Sequence, residues 1–432
     1  MKNILIAIRS IFKKGRHNVM KIVSLGIGLA VGLVLIAKVY FEQSYDDFYP
    51  DRDRVYQVWA KYQQNGGELK DYPQTSGGIA PTMQQQIPEI ETVTRYTSFG
   101  DWTFTMTDTK MKYSGRCIIA DSCFFDILPR PMLIGNAKEV LSTPMYVLIS
   151  SRIAKNIGGD VIGKNFTVDN SPGRTMTIGG VFEEVPENSH SRYDVIVSMA
   201  SAGRFMWEGS PTNMLGNDRY ISYVKLHKGV NPLALEEQVR TFVNSYFPPE
   251  EQQKVGLSID FSFHKLDNLH KELPQVKRMT WILSLLAFAL IFTAVMNYIL
   301  IVISSIVNRS KEVAVHKCYG ASENNIHGMM FGEALVHIVL SLILALLLIL
   351  AFRGTVEELL ATSLDSLLLS NGSLVLLGIC ILVFFVSGFM PGSLYARIPV
   401  ASAFRNYREN KRIWKKALLL VQFVATGFLV TM

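Results

Sequence analysis

Apolar residues are grouped into long blocks along the chain, and stretches of mixed polarity separate the blocks. Four blocks are long enough for membrane-spanning helices, since about 20 apolar residues cross a hydrocarbon core of about 30 Å. The predicted spans are 22–41, 279–307, 329–352 and 374–394. Residues 417–432 form another apolar run, which predicts the start of a fifth span.

The first 21 residues place apolar side chains such as Ile4 and Ile8 on one helical face and basic ones such as Lys13 on the other. This pattern predicts a basic amphipathic helix on the cytoplasmic membrane surface, in contact with lipid. A signal peptide has the same start. The following block lacks a small-x-small cleavage site, so we predict a retained first span.

Residues 42–278 contain no run that is long enough to cross a bilayer. Short β-type segments alternate there with Gly, Pro and Asn clusters. The predicted strands are Val55–Ala60, Thr103–Met106, Tyr146–Ser150, Phe166–Val168, Arg174–Phe182, Tyr193–Ser198, Ile221–Leu226 and Ile259–Phe263. Helices are predicted at Ser151–Ile157 and from a cap at Asn231 to Tyr246. The region is therefore expected to be a mixed α+β domain with its own core.

Charge asymmetry orients the predicted spans. Acidic residues dominate the loop 353–373, whereas basic residues dominate 395–416. By the positive-inside rule, the amino terminus and the segments 308–328 and 395–416 face the cytoplasm, and 42–278 faces outward. The net charge of +7 lies beside the apolar blocks, which fits a membrane better than nucleic acid. We therefore expect no nucleic-acid partner.

Motifs for catalysis or metal binding are missing from the sequence. It has no Gly-x-x-x-x-Gly-Lys-Ser/Thr phosphate loop, no His-Glu-x-x-His, no Cys-x-x-Cys and no Gly-x-Ser-x-Gly. The chain is therefore expected to be neither an enzyme nor a metal protein. Cys117 and Cys123 can pair as a disulfide in the outward domain, although sequence spacing does not fix their geometry.

Two polar residues interrupt the predicted spans: Asn297 in the second and His337 in the third. Ionisable groups inside a membrane suggest a functional site, whereas hydrogen bonds between helices are the simpler explanation. We favour the hydrogen bonds. The stretch from Trp281 to Val307 has no Pro or Gly, which predicts a rigid, uninterrupted helix. A short polar helix follows and is expected to end at Gly320.

These segments resemble the MacB/FtsX family of ABC-transporter permeases over nearly the whole chain. The similar motifs are Leu25–Ala30, Asn297 through Arg309–Val315 to Gly320-Ala321, Phe331–Ala334, Gly388–Phe404, and in the outward region Asp121–Asp126 and Gly179–Pro186. The sequence His316-Lys317-Cys318-Tyr319 departs from the family pattern.

The resemblance implies an α-helical membrane protein with a MacB-type periplasmic core domain between spans one and two. It implies the permease subunit of an ABC-type export or mechanotransmission complex in the plasma (inner) membrane, multi-pass, with 42–278 periplasmic. ATP and Mg²⁺ would bind a separate ATPase chain, and this chain would hold no cofactor. Other implied partners are a periplasmic adaptor or a second permease copy. The implied ATPase-coupling residues are Arg309, Lys311, Glu312, Val315, Lys317, Gly320 and Ala321.

An alternative is a membrane-anchored sensor or regulator whose outer domain binds a ligand or a cell-wall hydrolase. A weak internal repeat bears on the length of the protein, because Arg405–Val430 echoes the basic and then apolar pattern of Arg9–Leu35. The repeat predicts that this sequence is the first half of a double-length permease.

Overall fold

The computed structural model describes residues 17–169, 171–368 and 372–396, with the single positions 420, 423, 424 and 427. Most of the predicted surface helix 1–21, the basic segment 395–416 and the run 417–432 lie outside these residues. The chain forms two compact units. We call Ser44–Leu273 the sheet domain, and Met1–Gln43 with Pro274–Met432 the helical unit.

Helices occur in both units. In chain order they are α1 (Asn18–Gln43), α2 (Ile79–Gln86), α3 (Phe124–Ile127), α4 (Ala137–Ser142), α5 (Ser151–Ile157), α6 (Ala202–Phe205), α7 (Glu236–Tyr246), α8 (Pro249–Val255), α9 (Pro274–Ser304), α10 (Ile306–Cys318), α11 (Glu323–Ala351), α12 (Arg353–Leu360), α13 (Leu364–Leu368) and α14 (Ser373–Ala396).

Strands lie in the sheet domain. They are β1 (Val55–Gln64), β2 (Leu69–Tyr72), β3 (Ile90–Met106), β4 (Lys112–Ala120), β5 (Met132–Ile134), β6 (Tyr146–Ser150), β7 (Asn165–Val168), β8 (Ser171–Phe182), β9 (Val195–Ser198), β10 (Ile221–Leu226) and β11 (Leu257–Lys265).

Three helices of the helical unit are long and apolar enough to cross a membrane among the described residues: α1, α9 and α11. In α14 the apolar stretch, from Ser373 to Gly388, is too short to meet these criteria. The fourth span therefore stays a prediction. The buried core contains Leu29 of α1, Ile299 of α9 and Ile338 of α11, so these three helices share one apolar interior.

Glycines allow α1 to approach both neighbouring helices. A Cβ atom on Gly28 would lie 2.2 Å from Cβ of Ala294, and one on Gly32 would lie 2.4 Å from Cγ1 of Ile291, both in α9. A Cβ atom on Gly26 would meet α11, 3.1 Å from the carbonyl oxygen of Ser341. Small residues at these positions let the backbones pack closely, which is a common basis of helix association in membranes.

The helix that begins at Pro274 ends at Ser304, and α10 begins at Ile306. The prediction of an uninterrupted helix to Val307 is therefore wrong. At the junction, the Ser305 amide contacts the carbonyl oxygens of both Ile301 and Val302, and its hydroxyl donates to that of Val302 at 2.5 Å. A serine hydroxyl that competes for backbone carbonyls can bend a helix without Pro or Gly.

An eleven-stranded mixed sheet organises the described residues of the sheet domain. The strand order is β11-β1-β10-β3-β4-β9-β6-β8-β5; β2 also pairs with β1, and β7 with β3 and β8. Apolar side chains alternate between the two faces, as β4 shows: Ile119 joins one core cluster and Ile118 joins another. The mixed α+β expectation is thus confirmed, and β6 and β10 have the predicted bounds.

Candidate functional site

Helix α10 has one buried and one exposed face. The buried side chains are Ser310, Val313 and Ala314, spaced three and four residues apart as on one helical face. Val313 and Ala314 belong to the same apolar core as the long helices. The exposed side chains include Lys311, Val315 and Tyr319, of which Tyr319 is 90% exposed. We call Lys311, Val315 and Tyr319 the exposed ridge of α10. A helix that packs against the core on one face can bind a partner protein through such an exposed ridge.

A glycine ends α10, as the sequence predicts. Gly320 has φ +85°. Its amide donates to the carbonyl oxygen of Lys317 at 3.0 Å, and the amide of Ala321 donates to that of His316 at 3.0 Å. This pair of hydrogen bonds is the Schellman motif, which favours glycine in the left-handed conformation. The motif fixes where the chain turns towards α11.

The remaining predicted coupling residues lie on or next to α10. Glu312 and Lys317 are half-buried, and Ala321 is half-buried beyond the helix end. The side chain of Arg309 lies outside the described residues, although its backbone is in α10. The structure therefore brings the predicted set to one short helix. Its coupling role stays a prediction.

His337 is 1% exposed inside α11, and its Nδ1 lies 3.2 Å from the hydroxyl oxygen of Tyr298 in α9. Such a contact is the interhelical hydrogen bond that we favoured for this residue. Asn297 precedes Tyr298 and is half-buried.

Sequence reasoning missed two buried charges near His337. Lys21, expected on a surface helix, lies in α1 and is 1% exposed; Glu333 of α11 is 6% exposed. The placement of Lys21 on the lipid surface is therefore wrong, because α1 begins at Asn18 and turns this residue inward. Helical spacing carries a signal for Glu333, which lies four residues before His337 and therefore on the same face.

The first and the last segment of the sheet domain contact each other. We call residues 45–52 and 267–271 the stem. The rings of Tyr45 and His270 stack with centroids 3.4 Å apart. Lys271 Nζ lies 3.1 Å from a carboxylate oxygen of Asp47 and 2.8 Å from one of Asp267. Burial alone would raise the pKa of Asp267, but Lys271 and Arg52 outweigh it and lower this pKa. Burial alone would lower the pKa of Lys271, but the two carboxylates raise it.

Asp46, between Tyr45 and Asp47 of the stem, belongs to a buried hydrogen-bond network. His190 Nδ1 lies 2.7 Å from Oδ2 of Asp46, and its Nε2 contacts Tyr223 and, at 3.1 Å, the Ser191 hydroxyl. The arrangement of Asp46, His190 and Ser191 is similar to a catalytic triad. Ser191 is buried, however, and its hydroxyl also lies 2.6 Å from that of Tyr96. We interpret the network as structural, since a substrate could reach Ser191 only if the core opened.

Cys117 and Cys123, which the sequence allows to pair as a disulfide, are both free thiols. Cys117 packs into a core cluster on one face of β4. Cys123 precedes α3, and its thiol donates to the carbonyl oxygen of Val93 at 3.1 Å. The two thiols thus contact different groups, since that of Cys117 lies 3.9 Å from the carbonyl oxygen of Ile118. Burial raises the pKa of both thiols.

The sheet domain has a groove of about 860 Å³ along the edge strand β11 and the helices α7 and α8. Its lining combines apolar side chains such as Leu233 and Val243 with polar ones such as Lys61. The size is within the range of ligand sites. Side chains already satisfy part of the β11 edge, because Gln252 accepts from the amide of Ile259 at 2.9 Å.

Comparison with known proteins gives a family match and several structural matches. Residues 284–400 match the FtsX-like permease C-terminal family. A solved domain of a permease protein from Porphyromonas gingivalis is 33% identical, covers 50% of this chain, is itself covered to 91%, and gives a TM-score of 0.46. Comparison with curated proteins gives no significant match.

A more distant match is the periplasmic region of MacB from Actinobacillus actinomycetemcomitans, which is 14% identical. The match covers 51% of this chain and 92% of that chain, with a TM-score of 0.35. The extracellular domain of the ABC-type transporter YknZ from Gram-positive bacteria gives 11% identity, 48% and 98% coverage and a TM-score of 0.34.

Apolar helices of spanning length joined to a separate sheet domain define a membrane protein with an extracytoplasmic domain. The family model over residues 284–400 specifies the class further. This part of the chain belongs to the FtsX-like permease family, as its motifs predict, and the chain is a permease component.

Proposed function

We propose that the chain is the permease subunit of an ABC-type export or mechanotransmission complex. It couples ATP hydrolysis by a separate ATPase subunit to a conformational change of the sheet domain on the periplasmic side. One observation carries this proposal: α10 is anchored to the helical core by Val313 and Ala314 and exposes its opposite face. A helix in this arrangement can receive force on one side and pass it on from the other.

The exposed ridge of α10 is the proposed contact with the ATPase. Lys311, Val315 and Tyr319 follow one another at intervals of four residues, so they lie along one face. When the ATPase subunits close on ATP, they would push this ridge. The close packing of α1 on α9 at Gly28 and Gly32 would then make these two helices move together.

The proposed topology follows from charge. The amino terminus and α10 lie in the cytoplasm, and four spans include α14. The chain lies in the inner (plasma) membrane in contact with lipid, and ATP and Mg²⁺ bind to the partner. A periplasmic adaptor or a second permease copy completes the assembly.

Co-purification tests this proposal. The tagged chain is extracted from its native membrane with mild detergent, and the bound proteins are identified by mass. We expect a stoichiometric ABC ATPase to co-purify. Lys311→Glu combined with Tyr319→Ala should lower the amount of co-purified ATPase at least tenfold. Lys228→Glu, an exposed change in the sheet domain, is the control and should leave the yield of ATPase unchanged.

The groove beside β11 favours a second candidate function, in which the sheet domain senses a ligand or a cell-wall hydrolase. The same experiment separates the two candidates. The sensor predicts that a hydrolase or signalling protein co-purifies in place of the ATPase. Leu233→Asp in the groove should then abolish its binding, and the α10 variant should retain it. This result would support the sensor and contradict the permease subunit.

A further inference from the structure

Four helices of the helical unit bring polar side chains to one small cavity. Its polar lining is Lys21 from α1, Tyr298 from α9, Glu333 and His337 from α11, and Ser387 from α14. The cavity measures about 10 Å³, which is near the smallest volume that holds a single water molecule. These polar side chains therefore line the same small cavity.

The cavity contains side chains of opposite charge that are shielded from solvent. Lys21 and Glu333 are both more than nine-tenths buried. A buried charge is costly unless an opposite charge and hydrogen bonds compensate for it, and apolar residues of similar volume would often be equally stable or better. Charges retained inside membrane spans are therefore candidates for function.

Hydrogen bonds around the cavity connect three helices. Lys21 Nζ donates to Oδ1 of Asn18 at 3.3 Å, and the hydroxyl of Ser341 in α11 donates to the carbonyl oxygen of Ile22 in α1 at 3.1 Å. The Tyr298–His337 contact connects α9 to α11. The polar groups thus fix the relative positions of the helices beside Lys21.

The cavity wall continues into the core that holds α10. Val302 and Met330 line the cavity. They also belong to the apolar cluster that contains Val313 and Ala314 of α10. Packed interiors tend to switch between discrete arrangements and do not deform smoothly. A displacement of α10 would therefore be felt at the buried charges.

We propose that Lys21 and Glu333 are positioning residues for coupling: their opposite charges across the cavity set the arrangement of α1 and α11 from which α10 moves. This role rests on the proposed permease function. The two residues act through the helices and touch neither nucleotide nor ATPase.

The test compares Lys21→Met, Glu333→Gln and the double variant in the full-length chain, reconstituted with the ATPase that co-purifies with the wild type. Each single variant changes the balance of buried charge at the cavity, so both its melting temperature and the chain-dependent ATPase rate should fall. The double variant removes both charges. Its melting temperature should return close to the wild-type value, while the ATPase rate stays at least tenfold lower.

Other outcomes overturn the positioning role. If the double variant restores both the melting temperature and the ATPase rate, the two charges serve stability alone. If the single variants change neither quantity, or the double variant melts as low as they do, the charges do not compensate each other. Lys228→Met in the sheet domain is the control for a lost lysine and should match the wild type.

The same data separate this inference from the proposed function. A wild-type chain that brings no ABC ATPase, or that leaves its hydrolysis rate unchanged, would overturn the permease coupling and the positioning role together. With a responsive wild type, only the pattern of the three variants decides the positioning role.

Discussion

Individual glycines decide how closely the spanning helices pack. Gly28 has no room for a side chain, because a Cβ atom would lie 2.2 Å from that of Ala294. Gly378 in α14 has nothing within 4 Å of the same position. The two glycines are therefore opposite cases on apolar helices, and only Gly28 is required by packing.

We predict that Gly28→Ala destabilises the chain by about 1–3 kcal/mol, the usual cost of overpacking. Gly378→Ala should be neutral or slightly stabilising, since alanine is the better helix former. Thermal unfolding of both variants in detergent tests this. Equal melting temperatures for the two variants would show that α1 does not pack tightly on α9 at Gly28.

The cysteines differ in reactivity at the residue scale. Cys318 is exposed at the end of α10, whereas Cys117 is buried and its thiol has a raised pKa. Because the thiolate is the reactive form, maleimide should modify Cys318 at least tenfold faster than Cys117 in the folded chain. Peptide mass mapping after brief labelling measures both rates. Reductant should not change the rate at Cys117, and a reductant-dependent rate would indicate a disulfide.

Sequence reasoning found His337 because it stands alone in an apolar run. It missed Lys21, because this residue continues a series of basic residues that ends where the first apolar block begins. It treated Glu333 as part of a family motif only. The burial of both charges depends on which helices surround them, and a single sequence does not contain that information.

At the scale of elements, the end of α10 depends on backbone conformation. Gly320 (φ +85°) and Gly354 of α12 both have open space where a side chain would be. Only Gly320 has the left-handed conformation, which costs about 1–2 kcal/mol for other residues.

We therefore predict that Gly320→Ala weakens the end of α10 by about 1 kcal/mol and lowers chain-dependent ATPase activity, whereas Gly354→Ala leaves activity unchanged. Hydrogen exchange at the amides of 317–321 reports the local effect. Unchanged exchange in Gly320→Ala would contradict the importance of the Schellman motif.

The Asp267–Lys271 pair of the stem should be sensitive to pH only at the extremes. The pKa of Asp267 is lowered, so its contribution is present above its unfolded value of about 3.9 and is lost as pH falls below that range. The pKa of Lys271 is raised, so its contribution is present below about 10.4 and is lost as pH rises above that range.

Lys271→Met should thus destabilise the sheet domain by about 1 kcal/mol, with a constant loss from about pH 5 to 9 that shrinks below pH 4. Unfolding of the full chain, followed by a probe in the sheet domain, measures this loss. Lys228→Met is the control for an exposed lysine. A loss that varied between pH 5 and 9 would mean that another group titrates in the stem.

Short β-type segments between turn residues identified β6 and β10, but several elements gave no such signal. All four side chains of β2 are exposed, so hydropathy does not mark this strand. The first part of β3 and all of β4 were missed as well. The two strands pair with each other as neighbours in the chain, but their other partners, β10 and β9, lie far away in sequence. The break at Ser305 was missed because Pro and Gly were the only breakers considered.

At the scale of the whole molecule, the division into two units was predictable, because hydropathy separates spanning blocks from the rest of the chain. The strand order β11-β1-β10-β3-β4-β9 was not, since it joins segments almost 200 residues apart, such as β1 and β11. The two units are connected at Gln43–Ser44 and at Leu273–Pro274. Any force passing between them through the chain passes through these two connections.

The central claim is that ATP hydrolysis by the partner ATPase, transmitted through α10, changes the conformation of this chain around the sheet domain. Spin labels at Lys228 in the sheet domain and Glu358 in α12 measure this directly, in chains reconstituted with the co-purified ATPase and diluted with unlabelled chain. We expect the distance distribution to shift when the ATPase is trapped with vanadate. The shift should disappear in Lys311→Glu with Tyr319→Ala. An active ATPase with no shift, or an equal shift in the α10 variant, would contradict the claim.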